Sequence, residues 1–303
     1  MKRFTTFKDE LSARFHCRVQ RLALDAGFTC PNRDGRLGVG GCAFCGERGS
    51  AATGTLSGHG LVDQINHSKA YLRSKFRAEK FLAYFQAYTN TYAPVSVLQS
   101  LYDSVLDDPD IVGILIGTRP DCLEDDVLEL LASMAQRTYL WVELGMQTMH
   151  NATLDAINRG HSHQDTVHAV TRLHELGIRV CLHVILGLPG EDTAMMMASI
   201  DEVNRLGVAG VKLHHLHVTK GSSFEEDHQL GRLTLMERDA YVSLAVDALE
   251  RINPSCIVHR VMGDGRKDLI APDWSRRKLE ALNCIDAELE RRGSRQGCRL
   301  PHH

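Results

Sequence analysis

Ile111-Val-Gly-Ile-Leu-Ile-Gly117, running on into Thr118-Arg-Pro-Asp121, reads as a strand with no polar face. A half-exposed strand alternates apolar and polar side chains. A continuous apolar run belongs where both faces are covered, as in a parallel sheet flanked by helices. Similar runs recur at 19–24, 81–87, 139–145, 179–186, 210–218 and 256–261. The segments between them have helical period. Segment 123–136 sets Val127, Leu128, Leu131 and Met134 on one stripe. Segments 164–176 and 193–206 stop at Gly177 and Gly207. Segment 235–251 follows Thr234, with Glu237 placed for a capping box. Strand–helix alternation at about thirty-residue spacing predicts βαβ units. With fewer than eight convincing units, the expected fold is α/β: a partial, open parallel (β/α) barrel. It forms a single domain over 1–303, with a core at about 17–261, helical additions before the first strand and a C-terminal extension over 262–303. No Gly-x-Gly-x-x-Gly follows the first strand, which disfavours a dinucleotide-binding sheet.

At 303 residues and 43 % hydrophobic content the chain can bury a large core. Its formal charge of −3 gives no composition-level reason for a nucleic-acid or membrane partner. Arg276, Arg277, Lys278, Arg291, Arg292, Arg295 and Arg299 make the C-terminal stretch locally basic. They read as a solvated helix end and tail, with an RNA-contacting patch as the alternative. No apolar run reaches membrane-spanning length and the N-terminus lacks a signal-peptide core, so a soluble cytoplasmic protein is expected. In that compartment nine cysteines do not form a disulfide framework. Cys17, Cys122, Cys181, Cys256, Cys284 and Cys298 are scattered and read mostly as small buried apolar side chains.

The other three share one glycine-rich loop, Gly27-Phe-Thr-Cys-Pro-Asn-Arg-Asp-Gly-Arg-Leu-Gly-Val-Gly-Gly-Cys-Ala-Phe-Cys-Gly46. Structural zinc wants four ligands, and the fourth would have to be His16 or Cys17 beyond the first strand. An iron–sulfur cluster that keeps one iron open wants three thiolates: Cys30, Cys42 and Cys45. The loop follows the first strand. It therefore shares a rim with the polar residues ending later strands: Gln86, Tyr88 and Asn90; Thr118, Arg119 and Asp121; Glu143 and Gln147; His183; then His214, His217 and Lys220.

Phe44 just before the last cysteine resembles the cluster loop of radical S-adenosylmethionine (radical SAM) enzymes. The blocks Gly40-Gly-Cys-Ala-Phe-Cys45, Tyr84-Phe-Gln-Ala-Tyr-Thr-Asn-Thr91, Gly117-Thr-Arg-Pro-Asp-Cys122, Glu143-Leu-Gly-Met-Gln147, Ile157-Asn-Arg-Gly-His161, Gly187-Leu-Pro-Gly-Glu191 and Lys212-Leu-His214 resemble the YhcC-like family. They also resemble the radical domain of the Elongator catalytic subunit, which acts on the tRNA wobble uridine. The resemblance implies a 4Fe-4S cluster on Cys30, Cys42 and Cys45, with S-adenosylmethionine on the open iron. It also implies a reductant such as flavodoxin or ferredoxin, and hydrogen abstraction from a substrate. That substrate is a tRNA wobble-uridine side chain or, as the alternative, a small-molecule metabolite; a structural zinc module is the third reading. By the same resemblance Phe44 packs near adenine, and Gln86, Tyr88 and Asn90 hold the methionine amino group. The common Gly-Gly-Glu is absent there. Glu143 and Gln147 end the fourth strand, with Glu143 at the ribose. Arg159 clamps the methionine carboxylate, and Gly187, Leu188 and Pro189 edge the adenine. His183, His217 and Lys220 are the catalytic and substrate-facing candidates. Met195, Met196 and Met197 read as packing.

Overall fold

The computed structural model describes residues 2–49, 56–263 and 267–300. Helix α1 (Phe7–Phe15) opens the chain, capped by Thr6 and Asp9. Then follow β1 (Val19–Leu24), α2 (Leu61–Phe76), β2 (Lys80–Phe85), α3 (Val95–Leu106), β3 (Ile111–Thr118), α4 (Asp125–Arg137) and β4 (Tyr139–Gln147). Next come α5 (Asn151–Ala156), α6 (His163–Glu175), β5 (Arg179–Leu186), α7 (Thr193–Arg205) and β6 (Gly210–His215). The chain ends with β7 (Val218–Thr219), α8 (Ser223–Gln229), α9 (Arg238–Arg251), β8 (Ile257–Arg260), β9 (Leu269–Ala271) and α10 (Lys278–Arg291).

Seven strands form one parallel sheet in the order β1-β2-β3-β4-β5-β6-β8, with β1 and β8 at its edges. This is the open (β/α) barrel the apolar runs predict. The outer face packs on the helices in one large core that takes in Leu22, Ile114, Val142, Val180 and Val211. A smaller cluster of Phe7, Leu11, Leu82, Leu115, Tyr139 and Trp141 plugs the inside at the strand starts. Helix α1 supplies part of that plug, and its approach is fixed where Val258 N–H donates to Thr5 O at 2.9 Å. The barrel interior is therefore apolar below and open to polar side chains above.

Three expectations need correction. The run at 210–218 is not one strand: β6 stops at His215, Leu216 N–H turns back to Leu186 O, and β7 pairs antiparallel with β9. The Thr234–Glu237 capping box does not form. Helix α9 starts only at Arg238, with Glu237 at the N-cap and no side-chain cap. Leu233 and Leu235 are instead committed to packing, and Met236 O accepts from Trp274 Nε1 at 3.0 Å. Tertiary burial here outweighs a cap worth about 1 kcal/mol. Of the six scattered cysteines, Cys122, Cys181 and Cys256 are buried as expected, but Cys298 is exposed. Met196 and Met197 do pack in the core.

Candidate active site

The cysteine loop is pinned at several points. Ala43 bonds backbone to backbone with Ile157 and Phe224 at 2.9 and 3.1 Å, and Asn158 Nδ2 donates to Gly41 O at 2.8 Å. A Cβ on Gly46 would lie 2.7 Å from the Lys220 carbonyl oxygen and 2.8 Å from Thr219 Oγ1, so the loop can lie against the β7 turn only with glycine there. Cys30, Cys42 and Cys45 all line one cavity. At least one pair of their sulfurs lies more than 4.8 Å apart. Among the described residues only Glu143, Cys181 and His183 bring three possible ligand atoms within 4.8 Å of one another. A single zinc ion, with Zn–S near 2.3 Å, draws its sulfurs to about 4 Å apart. His16 and Cys17 precede β1 while the loop follows it, so six residues of strand, about 20 Å, separate them from the thiols. The zinc arrangement therefore does not fit, whereas three thiols lining one cavity, too far apart to share a single zinc, suit a cluster with one iron left open.

Positive charge surrounds these thiols. Arg33 Nη2 donates to Cys45 O at 3.0 Å and Gly46 O at 2.6 Å. Arg119, 2 % exposed, forks onto Asp121 with two bonds of 2.9 Å and donates to Arg159 O at 2.8 Å. Arg159 Nη1 donates to Cys42 Sγ at 3.3 Å, and Asn32 Nδ2 lies 3.7 Å from the same sulfur. Burial and the neighbouring Cys42 raise the Cys45 thiol pKa against the pull of Arg33.

The strand ends form the facing wall. Glu143 is fully buried, and its carboxylate takes the Lys212 ammonium and His183 Nε2, the latter at 3.0 Å. Lys212 Nζ also donates to Tyr84 Oη at 2.9 Å, and His259 Nδ1 lies 3.6 Å from the other carboxylate oxygen. Despite burial, the Lys212 charge and bonds from His183 and His259 hold Glu143 well below the ordinary carboxylate range. Burial lowers Lys212 to about 8 in spite of Glu143. It also pushes His183 down to about 4, helped by the Lys212 charge, and His214 well below its usual value. The Lys212 ammonium already serves as the cation at the Glu143, Cys181 and His183 group. At neutral pH this wall presents uncharged imidazoles over one internally neutralised ion pair.

The sequence candidates divide accordingly. Phe44, Gln86, Tyr88, Gln147, Arg159, His183, His214 and His217 line the cavity with the three cysteines. Asn90 does not; it is fully buried and its Nδ2 ties Ala87 O and Gly117 O at 3.1 and 2.8 Å, stapling β2 to β3. Lys220 is exposed and off the cavity, because the β7–β9 pairing carries the chain outward. Gly187, Leu188 and Pro189 are not in the cavity lining; Leu188 is buried in a cluster with Ala43 and Leu216, against which Phe44 packs. Glu143, expected at a ribose, is held by Lys212. Tyr84, Arg33 and Lys212 were the residues missed. The one available signal was the inward i, i+2 register of Lys212 with His214.

The radical SAM superfamily model matches residues 30–203, and the radical SAM C-terminal domain model matches 208–291. The chain belongs to the radical SAM superfamily. It is 48 % identical over 297 residues to uncharacterized protein YtqA of Bacillus subtilis (strain 168), covering 98 % of this chain and 92 % of that one. It is 38 % identical to protein YhcC of Escherichia coli (strain K12), covering 95 % and 92 %. A more distant likeness, 28 % over 180 residues, joins half of this chain to 32 % of the tRNA uridine(34) acetyltransferase of Methanocaldococcus jannaschii. Among solved structures, the archaeal Methanocaldococcus infernus Elp3 superposes with a TM-score of 0.68 at 17 % identity, over 92 % of this chain and 64 % of that one. The chain is thus a radical SAM enzyme, and the family implies a 4Fe-4S cluster and S-adenosylmethionine. No helix among the described residues is long and apolar enough to cross a membrane.

Proposed function

We propose that this enzyme removes a hydrogen atom from a neutral, hydrogen-bonding heterocycle, a uridine in tRNA being the first candidate. The observation that carries this reading is the pairing of walls: three thiols on one side of the cavity, and uncharged imidazoles on the other. When bound, the cluster and S-adenosylmethionine supply a 5′-deoxyadenosyl radical. The chain's own residues hold, orient and screen. Cys30, Cys42 and Cys45 hold the cluster. Phe44, Gln86, Tyr88 and Gln147 line the cavity and would surround the cofactor there, and Tyr88 is kept at φ 60° with its hydroxyl on Glu47 O. Arg159 uses three of a guanidinium's five N–H groups on the protein, leaving two for the amino-acid carboxylate. His183, fixed through Nε2 by Glu143, lines the cavity with the His214 ring 5.4 Å away, and its other ring nitrogen would serve the substrate; His217 lines the same cavity. At neutral pH His183 is an acceptor for a substrate N–H, as a uracil imide offers, and among the described residues the carboxylate lining the cavity, Glu143, is paired with Lys212.

The distant likeness to the tRNA uridine(34) acetyltransferase supports the uridine. A second reading, a small-molecule substrate, draws on the C-terminal arginines. Arg291 and Arg292 bind Glu288, and Arg299 binds Glu250, so they offer RNA little unpaired charge. One experiment separates the two: tRNA nucleosides from a strain lacking the protein are profiled against its parent. Loss or accumulation of a modified uridine supports the first reading; an unchanged profile transfers the proposal to a small molecule. A reductant such as flavodoxin or ferredoxin is proposed as electron donor.

A further inference from the structure

Arg159 is 7 % exposed, yet among the described residues none of its bonds goes to a carboxylate. Its three bonds go to His161 Nε2 at 2.9 Å, Gly145 O at 2.9 Å and Cys42 Sγ at 3.3 Å. His161 is neutral, since burial and the Arg159 charge itself lower it to about 3. The neighbouring Arg119 differs, being neutralised by Asp121. A buried guanidinium without a counter-charge is costly unless one arrives or is already in contact. Among the described residues, the only group bonded to Arg159 that can be negative is the Cys42 sulfur. Several features hold it there. Gly145 leaves the space, since a Cβ at that position would lie 2.5 Å from Arg159 Nη2. The Arg159 carbonyl is anchored by Arg119. Asn158, just before it, is in the left-handed region at φ 51° and bonds to the cysteine loop.

We infer that the cysteine-held cluster is a counter-ion of Arg159 even before a cofactor carboxylate reaches its two remaining N–H groups, and that Arg159 is a positioning residue that raises the cluster's reduction potential. This rests on the cofactor reading above. A cluster on three thiolates is net negative, and each incoming electron makes it more so. A fixed cation and an N–H donor at one ligand sulfur favour the reduced form, because net charge and hydrogen bonds to sulfur set the potential of such clusters. The local medium is partly buried, where a charge at contact distance acts more strongly than in water.

The test is a potentiometric titration of the anaerobically reconstituted full chain, read by the electron paramagnetic resonance signal of the reduced cluster, without added S-adenosylmethionine. Iron and sulfide are counted first. If the wild type binds no cluster, the cofactor reading fails, and that result is distinct from failure of the inference. With the cluster in place, Arg159→Gln should titrate at a lower midpoint than wild type, and Arg159→Lys close to wild type. The inference is overturned if Arg159→Gln titrates with the wild type, or if Arg159→Lys falls as far as the glutamine variant. Should Arg159→Gln fail to load, the lysine variant decides alone: loading with a near-wild-type midpoint supports the role, and a lowered midpoint ends it. Arg251→Gln, a surface change paired to Asp201, controls for a bulk charge effect and should leave the midpoint unmoved.

Discussion

Two buried cations serve the cavity, Arg159 in its lining and Lys212 beneath the lining carboxylate of Glu143, and their surroundings differ. Lys212 has a carboxylate, a phenol and a strand register that brings all three together. Arg159 has two neutral acceptors and a sulfur. The first centre is electrically complete in the protein alone, so it can serve as a rigid floor. The second is completed by something the polypeptide does not provide. Charge bookkeeping alone thus separates a structural ion pair from a cofactor-facing one.

The largest expected effect lies on the incomplete side. Cys42→Ala removes a proposed cluster ligand and the sulfur that bonds Arg159. Reconstituted protein should then lose the cluster absorbance and all cleavage of S-adenosylmethionine; wild-type cleavage in this variant would break the comparison outright. On the complete side the expected loss is stability. Glu143→Gln strands the fully buried Lys212 charge and should cost about 3–5 kcal/mol in urea unfolding of the apo protein. Lys212→Met in the same background should recover more than half of that. If the double variant is as unstable as the sum of the singles, the two residues are not one unit.

This pairing also marks where sequence reading stops. The strands were legible because continuous apolar runs can only be buried on both faces, and β3 at Ile111–Thr118 shows it best. The three thiols were legible because they sit on one short loop. Lys212 and Glu143 are 69 residues apart, and nothing local in either segment names the other. Their meeting depends on the staggers of β4, β5 and β6, which only the folded sheet sets. Asn90 failed for a related reason. A polar residue at a strand end can face the cavity or staple the neighbouring strand, and its spacing is the same in both cases.

The uncharged wall gives a smaller, pH-dependent effect. Burial lowers His215 to about 3, with the His217 and Arg260 charges adding to it, and neither of its ring nitrogens has a partner. A histidine whose folded pKa lies below its unfolded value near 6.5 binds more protons when unfolded. Its contribution is therefore complete above about pH 6.5 and is lost as pH falls toward about 3. His215→Phe keeps the packing on Trp274 and Tyr241 and removes that proton uptake. The unfolding midpoint of this variant should fall less steeply on acidification than wild type, with little change at neutral pH. An equally steep acid limb would show that His215 is not among the groups that charge.

The smallest expected effect is the sharpest probe of the incomplete side. Gly145 lies within β4 without a positive φ, so alanine meets no backbone penalty. The new methyl meets only side-chain ends: Arg159 Nη2 at 2.5 Å and Gln147 Nε2 at 2.6 Å. The guanidinium must therefore retreat by a fraction of an ångström while keeping its charge and its chain position. Gly145→Ala should load iron as wild type does and titrate between wild type and Arg159→Gln. A midpoint equal to wild type would mean that the buried charge matters while the direct bond to Cys42 does not. A midpoint as low as that of Arg159→Gln would put most of the effect in the bond itself.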